Sequence, residues 1–105
     1  MAFDVSVVIP VYNEAENVGP VASEVAKALA GRAFELIFID DGSTDNTARK
    51  VIAARDQGIP QIRLLRHSMR SGQSAAVCNG IRHARGEWVA TLDGDGQNDP
   101  ADLPR

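Results

Sequence analysis

The chain has 105 residues, of which 44% are hydrophobic, and its formal net charge is −3 at pH 7. This length and apolar content suit one folded domain with a core rather than a disordered segment. The acidic balance argues against a general nucleic-acid-binding protein, which normally carries a basic stripe. We expect a cytoplasmic protein, because the start lacks the basic region of a signal peptide and no apolar run reaches the roughly 18 residues that span a bilayer.

Apolar strands and amphipathic helices alternate along the chain. Four segments have the composition of buried strands, at residues 5–12, 34–39, 61–65 and 87–92. The first is rich in β-branched residues and almost continuously apolar, as expected for a strand covered on both faces of a parallel sheet. Between the strands, apolar residues recur at helical spacing, and Gly31, Gly58 and Gly86 are placed to end the three helices.

Polar residues predict where the helices begin. Asn13 is expected to cap the first helix, with Glu16 as its capping-box partner, and Ser43 or Asp45 opens the second. Cys78 is the single cysteine, which excludes an internal disulfide. Its position in an apolar helical stretch favours a packed thiol over a nucleophile.

The order of elements is therefore βαβαβαβ, which predicts one α/β domain over residues 1–105. We expect a Rossmann-like parallel sheet with right-handed crossovers and helices on both faces. In such sheets ligands bind at the carboxyl ends of the strands. Three predicted strands end in acidic turns, at Asn13-Glu14, at Asp40-Asp41 and at Asp93-Gly94-Asp95. These acids are expected to meet at one edge of the sheet.

Each acidic turn has a structural explanation beside the functional one. The turn at Glu14 is by itself typical of an ordinary helix start. Asp40 and Asp41 repel each other unless a donor, a cation or water separates them, so one can tether the turn while the other accepts hydrogen bonds from a nucleobase imide or a ribose hydroxyl. Asp93 and Asp95 are either a solvated turn or two oxygen ligands for one hard cation.

Basic residues surround the predicted start of the third helix, where free amides and the helix dipole favour an anion. Arg70 is the candidate phosphate contact. Arg82 and Arg85 lie farther along the helix and fit a solvated face, whereas His67 at a strand end is expected near the ligand without a catalytic role. The chain has no Walker pattern, no Gly-x-Gly-x-x-Gly after the first strand and no Gly-x-Ser-x-Gly, which disfavours dinucleotide oxidoreduction and serine hydrolysis.

Taken in order, these motifs resemble those of family 2 glycosyltransferases. They are Pro10-Val11-Tyr12-Asn13-Glu14, Asp40-Asp41-Gly42-Ser43-Thr44-Asp45, Arg70-Ser71-Gly72, Ala84-Arg85-Gly86 and Asp93-Gly94-Asp95 with Gln97. The co-linear set covers essentially the whole chain. Gln97, followed by Pro100 and Asp102, is most similar to the branch of dolichol-phosphate mannosyltransferases and polyprenyl-phosphate sugar transferases.

The resemblance implies a GT-A fold, a nucleotide-diphosphate sugar as donor, Mg²⁺ or Mn²⁺ as cofactor and inversion at the anomeric carbon. It implies an acceptor such as a polyprenyl phosphate and no nucleic-acid partner. The nucleotide-binding residues that it implies are Pro10, Tyr12, Glu14, Asp40, Asp41, Arg70, Gly72, Asp93 and Gly94. The metal ligands that it implies are Asp93, Asp95 and Gln97.

Members of this family have longer catalytic domains, whose second half holds the acceptor site, the general base and often membrane-associating helices. We therefore expect the chain to be the N-terminal, nucleotide-binding part, truncated after the Asp-x-Asp motif. No catalytic residue is assigned in it, the general base is expected beyond Arg105, and little or no transfer is expected from the chain alone. Membrane association is expected for the full-length protein, and self-association for the exposed strand edge of the fragment.

Two alternative functions remain. A non-catalytic nucleotide-binding module would bind its ligand with a cation but without turnover. A receiver-like signalling domain also holds Mg²⁺ at a strand-end acid pair, but it needs an Asp at the end of its third strand and a later Lys. Here the third strand ends in Leu65-Arg66-His67, and the lysines are Lys27 and Lys50.

Overall fold

The computed structural model describes residues 3–93, which form one parallel sheet of four strands covered by three helices. The strands are β1 (Phe3–Val11), β2 (Phe34–Asp40), β3 (Ile62–Arg66) and β4 (Gly86–Thr91), in the order β3-β2-β1-β4. The helices are α1 (Ala15–Ala28), α2 (Thr47–Gly58) and α3 (Gln73–His83). The predicted Rossmann-like βαβαβαβ architecture is confirmed, and none of these helices is both long and apolar enough to cross a membrane.

The hydrophobic core has two layers, one on each face of the sheet. Because side chains alternate along a strand, β1 sends Val7 to one face and Val8 to the other. Val7 belongs to the larger cluster, which includes residues of α1 and α2 such as Val25 and Val51. Val8 belongs to the smaller cluster, where Ala76 of α3 packs. The helices therefore cover both faces, as the sequence predicted.

The predicted start of α1 was wrong. The N-cap position is Glu14, and its side chain makes no capping hydrogen bond. Asn13 instead adopts a left-handed φ of 50°, and its side-chain oxygen bonds to the turn that follows β2. At α2 the side chain of the N-cap residue Asn46 also makes no capping hydrogen bond, whereas the Asp45 carboxylate accepts the N–H of Thr47 at 2.9 Å. Of the two predicted openers of α2, Asp45 is therefore the one that bonds to its first turn.

The prediction of a packed thiol at Cys78 was also wrong, because this residue is exposed. Helix α3 packs on the sheet through Ala76 and Gly80, both of which are buried. A Cβ atom at Gly80 would lie 2.4 Å from a methyl carbon of Val8. The close approach of helix and sheet thus requires glycine there, and Cys78 lies on the outward side of the helix.

A buried polar cluster ties the amino-terminal part of the sheet to β4. Glu35 is fully buried and accepts hydrogen bonds from the Ser6 hydroxyl (2.7 Å), the Arg63 guanidinium (2.9 Å) and the Arg85 backbone N–H (2.7 Å). The Ser6 hydroxyl oxygen accepts the N–H of Gly86 at 2.7 Å. Burial raises the pKa of Glu35, but these hydrogen bonds and the charge of Arg63 lower it below its ordinary value.

Candidate functional site

The carboxyl ends of β1, β2 and β4 open into one cavity of about 240 Å³. These three strands come from distant parts of the sequence, and they meet because β1 lies between β2 and β4. Ligands of parallel α/β sheets bind at this edge. The lining residues are Pro10, Val11, Tyr12, Glu14, Asp41, Arg70, Gln73 and Asp93.

Most of the residues implied by the resemblance meet at this cavity. Six of the predicted nucleotide-binding residues line it: Pro10, Tyr12, Glu14, Asp41, Arg70 and Asp93. Gly72 lies just behind, where its N–H donates to Asp41 Oδ2 at 2.8 Å. The predicted residues Gly94, Asp95 and Gln97 lie outside the described part of the chain. The binding roles of all these residues stay predictions.

Asp40 occupies a different environment from its neighbour Asp41. It is 1% exposed, and its Oδ1 accepts the N–H of Ser43 at 3.0 Å. Its Oδ2 is 3.5 Å from Arg66 Nε, a distance that makes an ion pair, but this oxygen accepts no hydrogen bond within residues 3–93. Asp40 therefore holds its own turn and β3 together, whereas Asp41 lines the cavity.

Asp41 is an ionised hydrogen-bond acceptor at the cavity wall. Its Oδ1 accepts the Ser71 N–H and lies 2.8 Å from His67 Nδ1, while its Oδ2 accepts the Gly72 N–H. Burial raises the pKa of Asp41, but the hydrogen bonds from Ser71, His67 and Gly72 together lower it below its ordinary value. Because a carboxylate oxygen can accept two hydrogen bonds, Oδ2 keeps capacity for one more donor.

Asn13 joins the turns that follow β1 and β2. Its backbone N–H donates to the Ser43 hydroxyl at 2.9 Å, and its Oδ1 accepts the N–H groups of Thr44 (2.8 Å) and Asp45 (3.3 Å). This role was not predicted from the sequence. The available signal was the residue type, since asparagine tolerates a left-handed backbone better than most residues.

Glu14 lies on the same rim of the cavity and is tied to α2. Its Oε1 accepts the Tyr12 backbone N–H at 2.9 Å, and its own N–H donates to the buried Thr47 hydroxyl at 3.0 Å. The turn after β1 is thus fixed by local and long-range hydrogen bonds. Tyr12 and Glu14 therefore present a preorganised surface to the cavity.

Arg70 lies across the cavity against an aromatic ring. Its guanidinium carbon is 4.0 Å from the centroid of Tyr12, which is a cation–π contact. The backbone at Met69 and Arg70 also passes close to Gly42, where a Cβ atom would lie only 2.7 Å from the Arg70 nitrogen. Gly42 has a φ of 79°, so both its conformation and this contact require glycine.

Asp93 and Gln73 form the remaining wall. Gln73 is the first residue of α3, and its amide donates to Asp93 Oδ1 at 3.0 Å. No role was predicted for Gln73 from the sequence. An oxygen ligand such as Asp93 suits Mg²⁺ or Mn²⁺. Within residues 3–93 no group of three or more His, Cys, Asp or Glu side chains comes together, and the other two predicted ligands lie beyond this range.

Comparison with known proteins identifies the family. The model of glycosyl transferase family 2 matches residues 6–105. The chain belongs to this family. Among curated relatives, dodecaprenyl-phosphate galacturonate synthase of Rhizobium johnstonii is 43% identical, across 98% of this chain and 31% of that protein. Undecaprenyl-phosphate 4-deoxy-4-formamido-L-arabinose transferase of Salmonella paratyphi B is 39% identical, across 96% of this chain and 32% of that protein.

These relatives confirm the predicted resemblance to polyprenyl-phosphate sugar transferases, and the chain spans about a third of their length. Solved structures confirm the GT-A fold. A mannosyltransferase from Pyrobaculum calidifontis, in complex with GDP-Man and Mn²⁺, superposes with a TM-score of 0.80 at 27% identity, covering 90% of this chain and 28% of that one. S. aureus TarS in complex with UDP gives a TM-score of 0.69 at 26% identity, covering 88% and 27%.

Proposed function

We propose that the cavity is the donor site of an enzyme that transfers a sugar from a nucleotide-diphosphate sugar to a polyprenyl phosphate, with inversion at the anomeric carbon. One observation carries the proposal: the ionised Asp41, the guanidinium of Arg70 and the carboxylate of Asp93 line the same cavity. The names of the two curated relatives support the lipid acceptor. The GDP-Man, UDP and Mn²⁺ of the solved neighbours support the donor and the cation.

The nucleobase is proposed to bind at the Asp41 side. A carboxylate with acceptor capacity at Oδ2 favours a base that offers a ring N–H. Uracil and guanine present such a donor, whereas cytosine and adenine present a lone pair at the corresponding ring nitrogen. We therefore expect UDP or GDP to bind more tightly than CDP or ADP.

The diphosphate is proposed to bind between Arg70 and Asp93. Arg70 supplies a fixed positive charge whose N–H groups match phosphate oxygens, and its contact with Tyr12 orients it. The first turn of α3 begins at Gln73 in the same wall, so its free amides and helix dipole also favour an anion. These groups stabilise negative charge on the diphosphate as the sugar leaves it.

A divalent cation fits the chemistry of this wall. Asp93 would hold it, oriented by the Gln73 amide, and Asp95 and Gln97 are the further ligands implied by the resemblance. When bound, Mg²⁺ or Mn²⁺ neutralises charge on the diphosphate and makes it a better leaving group. Without a cation, Asp93 would repel the diphosphate, so we expect donor binding to depend on one.

Isothermal titration calorimetry of the 105-residue chain tests the donor site. UDP, GDP, CDP and ADP are titrated with and without Mn²⁺, and the best ligand is repeated with Asp93→Asn. Asp56→Asn is the matched control, because Asp56 is an exposed aspartate on α2 that contacts Arg55. We expect cation-dependent binding that Asp93→Asn abolishes and the control retains. Nucleotide binding whose affinity changes neither with Mn²⁺ nor with Asp93→Asn would contradict the proposal.

For the 105-residue chain we propose donor binding without turnover, because the general base and acceptor site are expected outside it. Transfer of radiolabelled sugar to a polyprenyl phosphate measures this, and robust turnover by the chain alone would contradict it. The same binding and transfer assays on a longer form of the protein distinguish a transferase from the non-catalytic alternative. Cation-dependent binding by that longer form, with no transfer to any polyprenyl phosphate, would favour a nucleotide-binding module.

Self-association of the chain is also proposed, through the edge of the sheet. β4 is an edge strand in the described part of the chain, and its side chains Trp88 and Val89 are 63% and 41% exposed. An exposed apolar edge strand offers unpaired backbone groups to a second copy. Light scattering should show dimers that Val89→Lys reduces, whereas a clean monomer at high concentration would contradict the proposal.

A further inference from the structure

His67 connects three parts of the polypeptide behind the cavity. Its backbone N–H donates to the Asp40 carbonyl at 2.9 Å, which continues the pairing of β3 with β2. Its ring Nδ1 lies 2.8 Å from Asp41 Oδ1, and its Nε2 lies 3.0 Å from the side-chain nitrogen of Asn79 in α3. One largely buried imidazole therefore bridges the end of β2 and the middle of α3.

These partners define the form of the ring. A carboxylate only accepts, so Nδ1 carries the proton that it donates to Asp41. The Asn79 side-chain nitrogen only donates, so Nε2 accepts. This arrangement corresponds to the Nδ1–H form of the ring, with a hydrogen-bond partner at both nitrogens. The oxygen that accepts this proton, Asp41 Oδ1, also accepts the N–H of Ser71.

Asp41, which is held by His67, in turn binds residues 68–72, here called the 68–72 loop. Its two oxygens hold the loop by the N–H groups of Ser71 and Gly72, each at 2.8 Å. Between this anchor and His67 the backbone passes within contact distance of Gly42. Arg70 lies in this short stretch, so the position of its guanidinium over Tyr12 depends on where Asp41 is held.

We propose that His67 is a positioning residue of the cavity: its ring, bridging Asp41 and Asn79, holds the 68–72 loop so that Arg70 lies over Tyr12. The effect on the loop follows from the contacts alone. The effect on nucleotide affinity rests on the proposed function of the cavity. His67 acts through Asp41 and Arg70 and takes no part in bond making.

NMR spectroscopy of the ligand-free 105-residue chain tests the effect on the loop. Protons of the Arg70 side chain that lie over the Tyr12 ring are expected upfield of their ordinary positions. His67→Ala is expected to remove most of this displacement. His83→Ala is the matched control, because His83 is an exposed histidine of α3 whose ring Nδ1 lies 2.9 Å from the Asn79 carbonyl oxygen. An Arg70 displacement that survives His67→Ala, or that falls equally in both variants, would overturn the proposal.

His67→Asn separates the hydrogen bond from the volume of the ring. Its amide reaches roughly the position of Nδ1 and restores a donor for Asp41, so the Arg70 displacement is expected to return in part. In the wild-type chain, nitrogen spectra of the imidazole should also show the Nδ1–H form. A folded His67→Asn variant with no recovery, or a wild-type ring protonated at Nε2 alone, would overturn the role of the hydrogen bond.

Nucleotide titration tests the consequence for binding. His67→Ala is expected to weaken binding of UDP or GDP by about tenfold, the size expected for one lost hydrogen bond to a charged group. Arg70→Ala is expected to weaken it as well, and the double variant little further, because both changes remove the same contact. Fully additive losses would overturn the proposal. If the wild type binds no nucleotide while the NMR displacement still depends on His67, the donor-site proposal fails and the positioning role stands.

Discussion

Two buried carboxylates at opposite ends of the same sheet have similar hydrogen bonding and similar pKa shifts but different surroundings. Glu35, towards the amino end of β2, is fully buried and accepts three hydrogen bonds from the protein. Asp41, just past the carboxyl end of β2, is 3% exposed and also accepts three. In both, burial raises the pKa and hydrogen bonding more than offsets it, so the pKa is lowered.

The surroundings separate the two groups. Glu35 has a counter-charge in Arg63 at 2.9 Å and is absent from the cavity wall among the described residues. Asp41 lies in that wall, and its partners are a histidine and two backbone N–H groups on the loop that carries Arg70. A lowered carboxyl pKa therefore does not identify a binding site by itself. Access to a cavity beside further charged groups is what distinguishes Asp41.

The largest expected effect on stability is at Glu35. Glu35→Ala removes the carboxylate that accepts from Arg63, Ser6 and the Arg85 N–H, and we expect a loss of about 3 kcal/mol in the free energy of unfolding. Urea denaturation measures this. Nucleotide affinity of the folded fraction should not change, because Glu35 is remote from the cavity wall. If Glu35→Ala instead lost much nucleotide affinity and little stability, the assignment of Glu35 to stability and of Asp41 to binding would be wrong.

Asp41→Asn should affect both stability and binding. The amide keeps one acceptor oxygen but places an N–H₂ group against N–H donors. We therefore expect the free energy of unfolding to fall by about 2 kcal/mol. Nucleotide affinity should fall by about tenfold or more, since the group facing the ligand also changes. Calorimetry and denaturation are compared with Glu35→Gln. Equal affinities in the two variants would remove the functional distinction between them.

Gly42→Ala is expected to lower the free energy of unfolding by about 1–2 kcal/mol, because a side chain at positive φ is strained. The matched control is Gly31→Ala, which has a φ of 88° but no neighbouring atom within 4 Å of the added Cβ. Both variants share the backbone strain, and only Gly42→Ala meets the Arg70 backbone. We expect weaker nucleotide binding in Gly42→Ala alone. Unchanged binding would show that the 68–72 loop can move without consequence.

The smallest expected effect is that of pH. A carboxyl group whose pKa is lowered by folding stabilises the folded state above its ordinary pKa, and this contribution disappears as pH falls through the lower, folded value. The ordinary values are 4.5 for Glu35 and 3.8 for Asp41, so stability should decline below these values. Denaturation curves across this range should show a smaller decline in Glu35→Gln than in the wild-type chain. An unchanged pH dependence would exclude Glu35 as a source of it.

Much of the fold was predictable because its signals are local. The continuous apolar runs identify β1 and β2, whose residues from Val5 to Val11 and along all of β2 are buried. Spacing of apolar residues identified the helices, although the hydrophobic residue Ile81 of α3 proved to be 47% exposed. The capping prediction at Asn13 failed because a long-range hydrogen bond to the Thr44 turn replaced the local one.

The site was predictable in composition but not in arrangement. The acidic strand ends and Arg70 were recognised from residue type and order. Which of Asp40 and Asp41 would face the cavity was left open, because adjacent residues of an extended chain point in opposite directions and either assignment fits the sequence. Only the register of the sheet places Asp40 against Arg66 and Asp41 at the cavity.

By itself, the sequence determined the alternation of strands and helices, the acidic strand ends and the family, since these depend on residue types at short spacing and on their order. The tertiary structure decided the roles of Asn13, His67 and Gln73. Each acts through a side-chain hydrogen bond to a distant segment; His67 and Asp41, for example, are 26 positions apart. Such contacts exist only once the order β3-β2-β1-β4 has brought the strand ends together, and no local pattern encodes that order.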